Sequence, residues 1–125
     1  MTDKQKSDRF YQVVDYSGGS LAGYVTCSYR DLVSVFGPPS DEGSDGYKVS
    51  TSWFILDSKK NVTFELYDYK ETQLYDGSYP SVDSFRSQRS YDWHVGGHVD
   101  SIDFNALQGF LSEKLGFSVN VRKGW

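Results

Sequence analysis

The sequence predicts an α+β fold: a small antiparallel β-sheet with two helices packed on one face, strung as β-hairpin, short helix, β-hairpin, long loop, strand and helix. Three observations carry it. Alternating apolar and polar residues mark strands on both sides of Asp57-Ser58-Lys59-Lys60-Asn61, and two further segments bear helix signals at each end. Ten Tyr, eight Phe and three Trp among abundant Ser, Gly and Asp suit strands and turns around an aromatic core. A chain of 125 residues makes one domain, able to bury about two thirds of its unfolded surface. That domain is expected at 9–121, between a polar tail at 1–8 and a short tail at 122–125.

The first elements are the β-prone runs 9–16 and 21–27, split by Ser17-Gly18-Gly19-Ser20. The split reads as a hairpin turn, or else the first run is a single strand with an irregular arm. Next comes a helix at 29–36. Ser28 and Asp31 have the spacing of a capping box, and Cys27 and Leu32 that of a hydrophobic staple. Leu32, Val35 and Phe36 supply its buried face, and Gly37-Pro38-Pro39 ends it.

After a polar connection at 38–46, Tyr47, Val49, Thr51, Trp53 and Ile55 share one face of a strand. The turn at 57–61 returns the chain through Val62, Phe64 and Leu66, with Thr63, Glu65 and Tyr67 opposite. Asn61-Val62-Thr63 matches a glycosylation acceptor, and a turn entering a strand accounts for the same residues. Residues 71–90 show neither strand nor helix period and predict a long loop, the kind usually functional or mobile. Tyr91 to Val95 predicts a strand. A second helix follows, with Asp103 as N-cap, Ile102 and Leu107 as staple, Phe104, Leu107, Leu111 and Leu115 as stripe, and Gly116 as C-cap. Gly109 in its middle costs about 1 kcal/mol against alanine, a cost that close packing would explain. Phe117 to Val121 predicts a last strand.

Composition narrows the function classes. A single cysteine, Cys27, cannot form an internal disulfide, and the N-terminal stretch lacks a signal-peptide layout, so an intracellular protein is expected, in the cytoplasm or the nucleus. No run approaches the ~20 apolar residues of a membrane span, so no membrane partner is expected. A net charge of −4 argues against a broad electrostatic grip on duplex DNA.

His94 and His98 stand four apart, with Gly96-Gly97 between them and Asp92 and Asp100 on either side. The glycines oppose a helix, and on a straight strand the two rings would lie about 13 Å apart. A bend at the glycines would bring them together, and zinc would then draw on Cys27, Asp92, Asp100 or Asp103. The plainer reading has Trp93 anchoring a strand in the core and the glycines bending the chain, with no metal and no cofactor. Cys27 reads as a small core residue rather than an activated thiolate. No serine sits in a Gly-x-Ser-x-Gly elbow, and the glycines of 37–46 do not form a phosphate-binding loop. A non-catalytic protein is expected.

Tyr67, Tyr69, Tyr75, Tyr79, Phe85 and Tyr91 cluster in sequence near Arg86 and Arg89. Aromatics beside arginines can stack single-stranded bases; the same residue types dominate protein interfaces. The candidate binding residues are Tyr69, Tyr75, Tyr79, Phe85, Arg86, Arg89, Trp93, His94 and His98.

Phe36-Gly37-Pro38-Pro39, Asp45-Gly46-Tyr47-Lys48, Trp53, Tyr67-Asp68-Tyr69-Lys70 and Trp93-His94-Val95-Gly96-Gly97, in this order and spacing, resemble a set of small proteins encoded by bacteriophages and large DNA viruses. The resemblance covers roughly residues 24 to 111; the N-terminal runs, the Ser- and Arg-rich loop and the end beyond Gly116 lie outside it. It implies a virus-encoded accessory protein acting inside a host cell, and brings no activity with it. The expectation is therefore a binding module for a host or viral protein. The alternatives are single-stranded nucleic acid or nucleotide binding by stacking, and a His/Asp enzyme or metal site. Edge strands of a small sheet also allow a homodimer.

Overall fold

A computed structural model describes residues 8–14, 19–40 and 48–124. The architecture is α+β as expected. Six strands, β1 (Phe10–Gln12), β2 (Ser20–Cys27), β3 (Ser52–Asp57), β4 (Val62–Tyr67), β5 (Tyr91–Gly97) and β6 (Asn120–Lys123), form one sheet in the order β1-β3-β4-β5-β2-β6, and every pair is antiparallel. The helices are α1 (Tyr29–Phe36), α2 (Val82–Arg86) and α3 (Phe104–Leu115).

Four expectations are corrected. β1 and β2 do not form a hairpin: β1 pairs with β3, and β2 lies between β5 and β6. Counting antiparallel steps across the sheet, β1 and β2 run in the same direction, which no hairpin turn can join. The expected turn residues Ser17 and Gly18 lie outside the described residues, as do the tail at 1–7, Tyr47 and most of the connection before it. Residues 71–90 are not without structure, because α2 forms within them; Ser81 Oγ accepts from the Ser84 amide at 3.1 Å, and Phe85 fixes the turn in the core. Arg122 and Lys123 are not tail but part of β6.

The fourth correction concerns the paired glycines. They do not bend the chain; β5 runs straight through Gly96 and Gly97, and the turn begins beyond, at His98. Gly97 is needed for close approach: a Cβ there would stand 3.0 Å from Ile102 Cδ1 and 3.2 Å from Phe64 Cβ. The irregularity in this pair lies in β2 instead, where the register shifts between Leu21 and Gly23.

The core faces the helices. Trp53 and Trp93 meet edge to face at 5.3 Å; their indole N–H groups donate to the Gly37 and Cys27 carbonyls at 2.8 and 3.1 Å, so both rings are buried without a stranded polar atom. Phe10 packs against Phe64 and Phe110. Leu32 and Phe36 of α1, Phe85 of α2, and Phe104, Leu107 and Leu111 of α3 complete the same cluster. The capping box of α1 is present, with reciprocal Ser28 and Asp31 bonds of 3.0 and 3.1 Å. α3 begins at Asp103, whose Oδ1 accepts from the Ala106 amide, and ends at Gly116 with φ of 80°.

Gly109 has no close-packing role: it is exposed, and a Cβ there would meet nothing within 4 Å. Gly109→Ala is therefore expected to stabilise the protein by about 0.5–1 kcal/mol, read as a raised denaturation midpoint with an unchanged slope.

Candidate functional site

Strand alternation sends Phe64, Leu66, Trp93, Val95, Val25 and Cys27 into the core, and their neighbours to the opposite face of the sheet, which no described helix covers. On that face the register sets four residues from adjacent strands in one row: Tyr67, His94, Tyr24 and Arg122. His94 lies 5.2 Å from each of the two tyrosine rings, and the Arg122 guanidinium sits 5.1 Å over Tyr24. The row is braced by polar contacts. Arg122 donates to Thr26 Oγ1 at 2.9 Å and reaches the Asp92 carboxylate at 3.4 Å, and Thr26 donates to Asp92 at 2.5 Å.

Beyond Tyr67 the row continues into the loop. Tyr69 lies 5.9 Å from His94 and 6.5 Å from Tyr67; Lys70 Nζ sits 5.1 Å from both the Tyr69 and Tyr75 rings; Tyr75 meets Tyr79 at 6.1 Å. The result is an aromatic ridge from Arg122 to Tyr79. Its loop end carries Tyr69 and Tyr79, and the same loop holds Leu74; these are three of the five large hydrophobic residues most exposed among those described, each about two fifths exposed.

A buried carboxylate positions this ridge. Asp68, fully buried between Tyr67 and Tyr69, accepts from the Ser50 and Thr51 amides at 2.9 and 2.7 Å through Oδ1, and from Ser50 Oγ at 2.7 Å through Oδ2. Holding Asp68 inward obliges its neighbours to face out. The Asp68 amide donates to the Thr51 carbonyl and the Lys70 amide to the Lys48 carbonyl, and Lys70 takes a left-handed φ of 59° to turn the chain into the loop.

The electrostatics keep the ridge neutral at its centre. Burial lowers the His94 pKa against the opposing pull of a Tyr67 backbone bond and the Asp92 charge, so the imidazole is uncharged at neutral pH. Burial, with Glu65 nearby, pushes the Tyr67 hydroxyl up to about 12. Tyr91 is likewise held protonated, by burial first and then by Glu71, to which its hydroxyl donates at 3.2 Å.

The expected binding residues thus divide. Tyr69, Tyr75, Tyr79 and His94 come together on the ridge. Phe85 and Trp93 are corrected to core residues, 2% and 1% exposed, because each fills the space between sheet and helices. Arg86 turns away to Tyr29 and Thr51, and Arg89 is exposed beyond α2. His98 is separate from His94, in a shallow cleft of about 230 Å³ with Ser20, Leu21 and Asp100. Among the described residues no group of three His, Cys, Asp or Glu side chains could hold a metal ion. Tyr24, Lys70 and Arg122 are the members that sequence reasoning did not count as binding residues; Lys70 adjoins the expected Tyr69, while Tyr24 and Arg122 join through strand pairing alone.

Cys27 is buried, and burial, with the Asp31 charge, pushes its thiol up to about 12. It is expected to resist iodoacetamide at pH 8 in the folded protein and to react fully once the chain is unfolded, which mass spectrometry reads directly.

Comparison with protein-family models and with curated proteins gives no match to this chain. No helix among the described residues is long and apolar enough to cross a membrane.

Proposed function

We propose that the protein is a non-catalytic binding module that docks a protein partner on the aromatic ridge, with Tyr69, Leu74 and Tyr79 as its exposed anchors. The observation that carries this reading is the continuity of the ridge. Isolated exposed tyrosines are ordinary on a surface, but here successive rings brace one another from the sheet as far as Tyr69, and Lys70 bridges Tyr69 to the Tyr75–Tyr79 pair, which limits the side-chain entropy lost on docking. The charges fit the same reading: Arg122 and Lys70 lie against ring faces, while Asp92, Glu65 and Glu71 stand on the same side, a mixed-sign pattern suited to a protein surface. On the resemblance to phage and large-DNA-virus proteins, the partner is a host or viral protein met inside the infected cell.

The test is affinity capture from host and infected-cell lysates with the wild type and with Tyr69→Ala/Tyr79→Ala. Both side chains are exposed, so the variant is expected to keep its unfolding free energy within about 1 kcal/mol of wild type while losing the captured partner by a factor of ten or more. Equal capture by the two proteins, or no stoichiometric partner from either lysate, would overturn the proposal.

The second reading is single-strand binding by stacking, favoured by the cations at Lys70 and Arg122 that bracket the rings. Against it stand the three carboxylates on that face and the mutual packing of the rings, which occupies the faces a base would need. Fluorescence titration with oligonucleotides at two salt concentrations separates the two, since phosphate contacts would make any binding salt-dependent.

A further inference from the structure

We infer an anion-binding cleft on the helical side of the molecule, between α1 and α2, that takes a phosphate monoester. The cleft has a volume of about 420 Å³ and is lined by Tyr29, Arg30, Val33, Asp83, Arg86 and Ser87. That size is within the range of sites that hold small molecules or a single side chain. It is distinct from the aromatic ridge, on the other side of the sheet, and owes nothing to the reading of that ridge.

Arg86 is the residue the inference turns on. Its Nε donates to Thr51 Oγ1 at 3.1 Å, and its guanidinium lies 4.8 Å over the Tyr29 ring. The side chain is thereby fixed, so little rotamer freedom remains to be lost on binding. Nε is used, but the two Nη groups have no hydrogen-bond or carboxylate partner among the described residues. Arg30 opens onto the same cleft, exposed and also without a carboxylate partner among the described residues.

Two guanidiniums therefore face one carboxylate, Asp83, and leave the cleft with a net positive charge. Paired N–H donors of a guanidinium match the spacing of oxygen atoms on a phosphate or carboxylate. A dianionic phosphate is favoured over a monoanionic carboxylate because it neutralises both arginines despite the opposing charge of Asp83. Val33 and the Tyr29 ring give the body of an ester an apolar wall beside the charged end.

The experiment is an amide NMR titration of the intact protein with phenyl phosphate, with benzoate as the carboxylate probe and chloride as the ionic-strength control. Expected are saturable shifts confined to residues 29–33 and 83–87, tighter for phenyl phosphate than for benzoate and absent with chloride. Arg86→Gln should abolish saturation, but it also removes the Tyr29 and Thr51 contacts that hold α2 in place. Arg30→Gln avoids that difficulty because the side chain is exposed, and should weaken binding about fivefold, whereas Asp83→Asn should tighten it about threefold. Shifts that fail to saturate, benzoate binding as tightly as phenyl phosphate, or unchanged affinity in Arg30→Gln would each overturn the inference.

Discussion

Asp68→Ala is expected to cost about 3 to 5 kcal/mol, the largest loss from any single polar residue in the described part of the chain. The reason is the asymmetry of buried hydrogen bonding. Alanine would leave the Ser50 and Thr51 amides and the Ser50 hydroxyl facing a dry gap, and each stranded donor costs about 1 to 3 kcal/mol. Asp68→Asn is the informative companion. Its Oδ1 can keep both backbone bonds, and its amide group can donate to Ser50 Oγ, which reverses its role. Asparagine should therefore stay within about 1 kcal/mol of wild type at neutral pH. The pH dependence separates the two proteins further. Burial raises the folded pKa of Asp68 despite the Ser50 and Thr51 bonds, so its linked stability is fully present below the unfolded value near 3.9 and is lost as pH rises through the folded pKa. Urea titrations across that interval should show this loss in wild type and not in Asp68→Asn.

The second large effect is expected at the opposite end of the sheet. Arg9 grips Asp57 with two bonds, Nε to Oδ1 at 2.8 Å and Nη2 to Oδ2 at 2.9 Å, and so ties β1 to the end of β3. Asp57 also accepts from the Lys59 and Lys60 amides in the turn. Burial works against ionisation, but the guanidinium and the two amides prevail, so the Asp57 pKa lies below its ordinary value. Arg9→Ala should cost about 2 to 4 kcal/mol; it removes the partner of a buried carboxylate, discounted because the Arg9 side chain is 24% exposed and water reaches part of the pair. For a depressed acid the contribution is present above the unfolded pKa, about 3.9, and is lost as pH falls through the folded one. The gap between wild type and Arg9→Ala is accordingly expected to close on acidification. A constant gap down to pH 2 would mean that Arg9 acts through packing on Phe10, over which it also lies.

Local signals were legible in the sequence because they are read over a few residues. The Ser28/Asp31 box, the Asp103 and Gly116 caps and the 57–61 turn depend only on neighbours, and the structure has them all. Pairing between distant strands left no such mark. The place of β1 depends on Phe10 finding Phe64 and Phe110, and on Arg9 finding Asp57. α2 escaped notice because five residues with one deeply buried anchor, Phe85, are too short to show a period. The glycines misled for a related reason: a strand can carry them wherever a neighbour comes too close for a side chain, and the neighbours of Gly97, Ile102 and Phe64, are known only from the fold.

The candidate site was half legible. Tyr69, Tyr75 and Tyr79 stand out by composition, while Tyr24 and Arg122 join them only because β2 lies between β5 and β6. Several described residues of the motifs that carry the resemblance serve the fold instead. Gly37 accepts from the Trp53 indole, Trp93 donates to Cys27, Asp68 holds the 48–52 segment, and Gly97 admits Ile102. Among the described residues, the ridge draws Tyr67, Tyr69, Lys70 and His94 from those motifs.

The sheet order also governs how the chain matures on the ribosome. Both partners of β2 are encoded far downstream, at Tyr91–Gly97 and Asn120–Lys123, so a nascent chain that has emerged only as far as β4 holds a complete β3–β4 hairpin and an orphan segment with Ala22, Val25 and Cys27 still in water. Closure must await the synthesis of β5 and β6, and that interval is when the polypeptide is most open to capture by chaperones or to clumping with its siblings.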